Sequence, residues 1–268
     1  MRFLVFGDVH ANLLALEAVL AAGQARGVEA YLFVGDIVGY GPDPLECMAR
    51  LKPWADNGNL AWVAGNHELA LRGDVEETGY SPEAVQTLAW TWEQMEVNPW
   101  AKEFIDAPCL TTCVNETIWL THDSLVAPSS GGYHRSARNA KGELACLRHN
   151  NGRVCFYGHT HTLRAEISQE EKPVMLVPMT AHEGEGRDPH PVRLRKDDLG
   201  WIGTGSVGFP TNPKRHPEYL ILDELEGKEW QVEKYNVEYP RDQAKERVRK
   251  VLGPVCEKGI ADRIAGWL

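Results

Sequence analysis

Three short apolar runs near the start of the chain each stop at a glycine, followed at once by a side chain able to bind metal. Phe3–Phe6 runs into Gly7-Asp8-Val9-His10, Ala30–Val34 into Gly35-Asp36, and Leu60–Ala64 into Gly65-Asn66-His67-Glu68. Such runs, rich in β-branched and aromatic residues and closed by glycine, read as buried strands. After the first turn Leu13, Leu14, Leu16, Ala18, Val19 and Leu20 recur at helical spacing. After the second, Leu45–Leu51 follows Pro44, a residue suited to a first helical turn. Strand, polar turn and helix place the polar residues at the carboxyl ends of strands, where open α/β sheets bind ligands. One aspartate in such a turn is often only a helix cap. The same arrangement three times on one sheet edge asks for a shared purpose.

The pattern returns downstream. Thr117–Leu120 leads into Thr121-His122, and Val154–Tyr157 into Gly158-His159-Thr160-His161. Thr111–Val114 and Thr117–Leu120 read as a hairpin closed by Asn115-Glu116. Ser81-Pro82-Glu83 opens a helix whose apolar stripe reads Val85, Leu88, Ala89, Trp92 and Met95. Further helices are expected over Pro99–Ile105, Lys141–His149, Asp242–Leu252 and Ile260–Trp267. Further strands are expected at Val174–Val177, Val192–Leu194, Tyr219–Leu222 and Trp230–Val237. Ala127–Arg138 reads as a loop over the strand-end edge, and Thr180–Pro191 as a long exposed loop. Strands and helices alternate early while strands dominate late, so an α/β fold with mixed sheets is expected, in one domain over residues 1–268.

Charge narrows the partners. The 28 lysines and arginines against 38 acidic residues leave a net charge of −10. Broad, sequence-independent nucleic-acid binding needs a cationic surface and is not expected. A small phosphorylated substrate is compatible, because bound metal supplies the positive charge. The six cysteines are scattered with no CxxC pair, which fits neither a zinc knot nor a disulfide framework. With no leader-like segment and no apolar run long enough to span a membrane, a cytoplasmic location is expected. The oligomeric state is left open.

The strand-end residues make one set: Asp8, His10, Asp36, Asn66, His67, His122, His159 and His161. Imidazole, carboxylate and one amide, without thiolate, suit Zn, Mn, Fe or Ni. The set is too large for one tetrahedral ion and suits two ions about 3.5–4 Å apart, the arrangement that activates water and clamps a phosphoryl group.

In order and spacing these turns resemble the five motifs of the calcineurin-like metallophosphoesterases. The likeness runs from residue 3 to about residue 223 and includes Gly205-Ser206-Val207-Gly208, similar to a late turn of the small bacterial phosphodiesterase-like branch. The resemblance implies a metallo-dependent phosphatase-like fold, a four-layer sandwich of two mixed β-sheets flanked by helices. It implies two divalent ions, with manganese favoured. Asp8, His10 and His161 would hold the first, Asn66, His122 and His159 the second, and Asp36 would bridge them. Asn66 and His67 would also meet the substrate, with His67 a general acid beside the metals and Glu68 orienting it or packing the turn. The reaction implied is in-line attack by a metal-bridging hydroxide.

Two departures matter. Asp123 stands where the branch has glycine, and the phosphate-clamping arginines of the family's Ser/Thr protein phosphatases are missing after Asp36 and before Asn66. This favours phosphodiesters or small phosphomonoesters over phosphoproteins, with a Ser/Thr protein phosphatase-like enzyme or a dinucleoside polyphosphate hydrolase as alternatives. Arg135 or Arg138 could substitute, and His134 of the same loop is a candidate substrate contact. His149, His182, His190 and His216 are read as solvent-facing. A non-catalytic scaffold would have lost ligands, and this chain keeps them all.

Overall fold

The structure, a computed structural model, describes residues 1–73, 79–128, 137–169, 174–177, 179–183 and 186–268. In chain order the elements begin with β1 (Arg2–Phe6), α1 (Leu13–Ala25), β2 (Ala30–Phe33), α2 (Pro44–Asp56) and β3 (Leu60–Trp62). Three helices follow, α3 (Asn66–Arg72), α4 (Pro82–Glu96) and α5 (Pro99–Asp106), then β4 (Thr111–Val114), β5 (Ile118–Thr121), α6 (Ala137–His149) and β6 (Val154–Tyr157). The remainder comprises β7 (Leu163–Ser168), β8 (Met175–Val177), β9 (Val192–Leu194), β10 (Leu199–Thr204), β11 (Glu218–Leu225), β12 (Glu229–Asn236), α7 (Arg241–Leu252) and α8 (Ile260–Trp267).

The strands form two mixed six-stranded sheets, β3-β2-β1-β11-β12-β9 and β4-β5-β6-β10-β7-β8. In the first, β1, β2 and β3 run parallel and β11 returns antiparallel against β1. In the second, β5, β6 and β10 run parallel. Alternation along β1 explains the layering: Phe3 and Val5 face the second sheet, packing with Ile118, Val154, Phe156 and Ile202. Leu4 and Phe6 face the other way, against Leu16, Leu20, Met48 and Phe104 of the helices. On the far side of the second sheet Cys155, Tyr157 and Trp201 pack on Leu144 and Leu147 of α6. A strand buried on both faces is apolar at every position, which is why these runs lack polar alternation.

Several elements differ from expectation. Asn66 and His67 form the first turn of α3 and are not in a loop; Gly65, extended at φ −90°, leads in, and left-handed Gly73 ends the helix. The buried face of α4 is Ala84, Thr87, Leu88, Thr91 and Met95, with Trp92 37% exposed. Threonines serve on that face because the Thr87 and Thr91 hydroxyls donate to carbonyls one turn back, at 2.7 and 2.8 Å. The hairpin loop is one residue longer than read, with Val114 opposite Ile118 and left-handed φ at Asn115 and Glu116. Strands β7 and β10 were not anticipated. The 180–191 segment is tied down in part: the His182 N–H donates to Lys234 O and its carbonyl accepts from Asn236. His182 and His216 are half-buried, whereas His149 and His190 are exposed as expected.

Candidate metal centre

The parallel strands of both sheets end on the same edge, and the loops leaving them interlock. Beyond β1 and β2 the pairing continues through Asp8 N–H to Gly35 O, His10 N–H to Asp36 O, and Ala11 N–H to Ile37 O, at 2.8–3.0 Å. These bonds hold a strained backbone. Asp8, His10, Asp36, His159 and His161 all sit at φ between 48 and 60°, a region that costs a non-glycine residue on the order of 1 kcal/mol. Strain of this kind persists where the surroundings over-determine it, and here it falls on five of the seven residues read as ligands. The side chains have room because two neighbours lack a Cβ: one on Gly158 would lie 2.5 Å from Asp8 Oδ2, and one on Gly65 2.1 Å from Asp36 Oδ1.

The chain brings together all eight strand-end residues of the sequence set. Asp8, His10 and His161 present donor atoms within 4.8 Å of one another, as do Asp8, Asp36 and His122. Asp36 Oδ2 lies 3.8 Å from His10 Nε2 and 3.2 Å from His122 Nε2, between the two groups. Asn66 Oδ1 lies 3.1 Å from His122 Nε2 and 2.9 Å from His159 Nδ1. Asp8, His10 and Asp36 are buried, while Asn66, His159 and His161 keep partial exposure and form the open side.

Tautomers decide what this cluster can do. His10, His122 and His161 each turn Nδ1 onto a backbone carbonyl, of Val38, Val34 and Phe209 respectively, at 3.1, 2.7 and 3.1 Å. A carbonyl only accepts, so Nδ1 carries the hydrogen and the Nε2 lone pair is aimed inward, the usual preparation of a metal-binding histidine. His10 Nε2 and His161 Nε2 then face each other at 2.9 Å, and Asp8 Oδ2 is buried without a hydrogen-bond partner among the described residues. Converging lone pairs and an unpartnered buried carboxylate oxygen fit a cation, so the residues present suit a metal ion.

Electrostatics divide the histidines: against the pull of burial, Asp8 raises His161 above its ordinary value. Burial pushes the His10, His67 and His159 imidazoles below their ordinary value, which keeps them neutral. Burial also opposes charge on His122 and Asp36, but each outweighs it for the other. The Asp36 carboxyl is held well below the carboxylate range, and His122 is carried up to about 10. Without metal a proton on His122 Nε2 pairs with Asp36; a cation beside Asp36 would take that proton's place and leave the Nε2 lone pair free to bind it.

His67 differs from the other three. Its Nε2 lies 4.0 Å from Asp36 Oδ2, and its buried Nδ1 has no hydrogen-bond partner among the described residues. Among the described residues nothing locks its tautomer. Of the two roles read for Glu68, orienting His67 or packing the turn, the contacts fit the second: both oxygens accept backbone N–H groups, from Asp36, Ile37, Val38 and Gly65 at 2.7–3.3 Å. Glu68 therefore packs the turn, tying the loop of Asp36 to the start of α3. Asp123 is buried and accepts the Ser124 N–H at 2.7 Å.

Two supporting groups were not singled out from the sequence. Tyr80 donates its hydroxyl to Asn66 O at 2.7 Å and accepts from Asn66 Nδ2 at 3.3 Å, which leaves Oδ1 toward the histidines. Ser206, within the glycine-serine turn that the sequence did mark, donates to Asp8 O at 3.0 Å and accepts the Phe209 N–H at 2.9 Å. Phe209 O is in turn the carbonyl that fixes His161. Isolated hydroxyls carry no pattern that would have found either. His134 and Arg135 lie outside the described residues, as does the Arg138 side chain.

Residues 1–163 match the calcineurin-like phosphoesterase family, and the chain belongs to it. It is thus a metal-dependent phosphoesterase, a hydrolase. Over 249 residues, 92% of this chain and 91% of the relative, it is 28% identical to the uncharacterized protein MJ0912 of Methanocaldococcus jannaschii. A metallophosphoesterase from Sphaerobacter thermophilus superposes over 100% of this chain and 99% of its own, with TM-score 0.76 and 26% identity. A stretch of 72 residues, 26% of this chain and 25% of the relative, is 36% identical to the symmetrical bis(5′-nucleosyl)-tetraphosphatase of Psychromonas ingrahamii. Among the described residues no helix is long and apolar enough to cross a membrane.

Proposed function

We propose that the chain is a dinuclear phosphoesterase acting on phosphodiesters and small phosphomonoesters. Asp8, His10 and His161 would hold one divalent ion, Asn66, His122 and His159 the other, with Asp36 shared and manganese favoured. The observation that carries this reading is the trio of histidines locked with Nε2 inward around two buried carboxylates. Two divalent ions, when bound, supply positive charge to phosphoryl oxygens and acidify water. The chain's own residues do the rest. Asp8 and Asp36 offset cation repulsion, and the open side formed by Asn66, His159 and His161 admits the ester. His67, free of a tautomer lock, can carry a proton on Nε2 and deliver it to the departing oxygen. The cytoplasmic location and single-domain organisation expected from the sequence belong to the same proposal.

Substrate class follows from the charge around the carboxylates. Among the described residues every ion-pair partner of Asp8 and Asp36 is a histidine. A monoester dianion gains most from a bidentate guanidinium, while a diester monoanion needs it less. Manganese-reconstituted protein should therefore cleave bis(p-nitrophenyl) phosphate at least as readily as a phosphoserine peptide. A strong preference for the peptide would overturn the diester reading and point to Arg135 or Arg138. The tetraphosphatase-like stretch supports a second reading, dinucleoside polyphosphate hydrolysis, favoured if diadenosine tetraphosphate is cleaved faster than either.

A further inference from the structure

Aromatic rings crowd the side of the cluster where His67 sits. The Tyr40 ring centroid lies 5.0 Å from that of His67 and 5.0 Å from that of His10, and the Tyr80 centroid 5.6 Å from His67. Tyr40 continues outward to Phe209 at 5.3 Å and to Trp267 at 5.7 Å, both near edge-to-face. Both tyrosines are partly exposed, and Trp267 is 38% exposed. Tyr40 occupies left-handed backbone, φ 59°, with its N–H held at 2.9 Å by Thr87 Oγ1. A bulky ring in that conformation is costly and is kept only where the fold fixes it.

Core packing accounts for part of this crowding: Phe209 belongs to the buried cluster under α7 and α8, Tyr40 packs against it, and Tyr80 packs against the core of the helix layer. Helix α8 is seated by Ile260, Ala261, Ile264 and Ala265, all buried, and Leu268 beyond it is buried too, so Trp267 is not needed to hold it. Tyr40 and Tyr80 lie within residues 1–163, the part matched to the family, whereas Phe209 and Trp267 come from the rest of the chain.

We propose that Tyr40, Tyr80 and Trp267 form a shelf for a flat aromatic group of the substrate, a nucleobase or an aryl ring, carried on the phosphate whose departing oxygen reaches His67. The inference rests on the phosphoesterase reading above and names the substrate class of that site. The Tyr40 and Trp267 planes stand at 84°, so the flat group stacks on one ring and meets the other edge-on, contacts that commonly change affinity about fivefold to tenfold per ring.

The test is calorimetric binding of three probes to the manganese-loaded protein: adenosine 5′-monophosphate, phenyl phosphate and methyl phosphate. Turnover of bis(p-nitrophenyl) phosphate is measured alongside. The shelf predicts that both aromatic probes bind about tenfold or more tighter than methyl phosphate. Adenosine monophosphate ahead of phenyl phosphate marks a nucleobase site, and equality marks an aryl site. Trp267→Ala and Tyr40→Asn, the latter chosen because asparagine tolerates left-handed φ, should each cut the aromatic-to-methyl ratio about fivefold, while Trp267→Phe keeps it. If the aromatic probes bind no tighter than methyl phosphate, or the ratio survives both ring deletions, the shelf is refuted. Turnover without aromatic preference sinks the shelf alone. Absence of turnover with metal bound sinks the phosphoesterase reading and the shelf with it.

Discussion

Glu68 stabilises the centre without facing it. Four buried amides share its two oxygens, one of them the N–H of Asp36 itself. Burial and the nearby Asp36 charge push its carboxyl up to about 7, against the pull of those amides. Glu68→Ala leaves the amides unpaired and should destabilise the protein by about 3 kcal/mol or more in urea unfolding. A loss under about 1 kcal/mol would mean water replaces the carboxylate and the clamp is dispensable. His67 invites a different experiment, because its proposed proton matters only to poor leaving groups. His67→Ala should keep its metal, lose little on p-nitrophenyl esters, and lose roughly 10²–10⁴-fold on alkyl esters. Equal losses across a leaving-group series would make its role electrostatic, and lost metal would make it a ligand. The donors at this scale were legible because each follows directly on an apolar run. What the sequence hid was conformation: nothing in Gly-Asp or Gly-His announces left-handed backbone, and Tyr80 and Ser206 act through single hydroxyls.

Among the elements, β11 backs the turn after β10 that braces Asp8, and it begins with a buried carboxyl group. Glu218 N–H donates to Ser206 O at 3.0 Å, and burial pushes its carboxyl from 4.5 up to about 7, against a hydrogen bond from Asn212. Below pH 4.5 Glu218 is protonated in both folded and unfolded forms and costs the fold nothing. Between 4.5 and about 7 the unfolded chain ionises first, so stability falls as pH rises, by about 3 kcal/mol over the window. Glu218→Gln should flatten that slope and exceed the wild type at pH 8 in urea midpoint; parallel pH profiles would contradict the assignment. Strand β10 escaped the sequence because Gly200 and Gly203 interrupt an otherwise apolar run, yet it is buried at all six positions. Strand β7 escaped because Arg164 and Glu166 look like surface residues, whereas they pair with each other and Glu166 is buried. The start of α3 escaped because glycine reads as a break, and here it is the residue before the first helical turn.

At the scale of the whole molecule, the centre belongs to neither sheet alone. Asp8, His10 and Asp36 come from loops after β1 and β2, and Asn66 from the start of α3 after β3. His122, His159 and His161 follow β5 and β6 of the other sheet. The alternation of runs predicted the strands and their polar ends, but not which sheet each joins, because pairing is decided by packing across the sandwich. The shared position of Asp36, between His10 on one side and His122 on the other, is the hinge of the account. The direct measurement is metal stoichiometry by native mass spectrometry after manganese reconstitution, on wild type, Asp36→Asn and His161→Ala. Two ions per chain are expected for wild type, loss of most of both for Asp36→Asn, and loss mainly of one for His161→Ala. Two ions retained by Asp36→Asn, with turnover unchanged, would contradict the shared carboxylate and the dinuclear centre built on it.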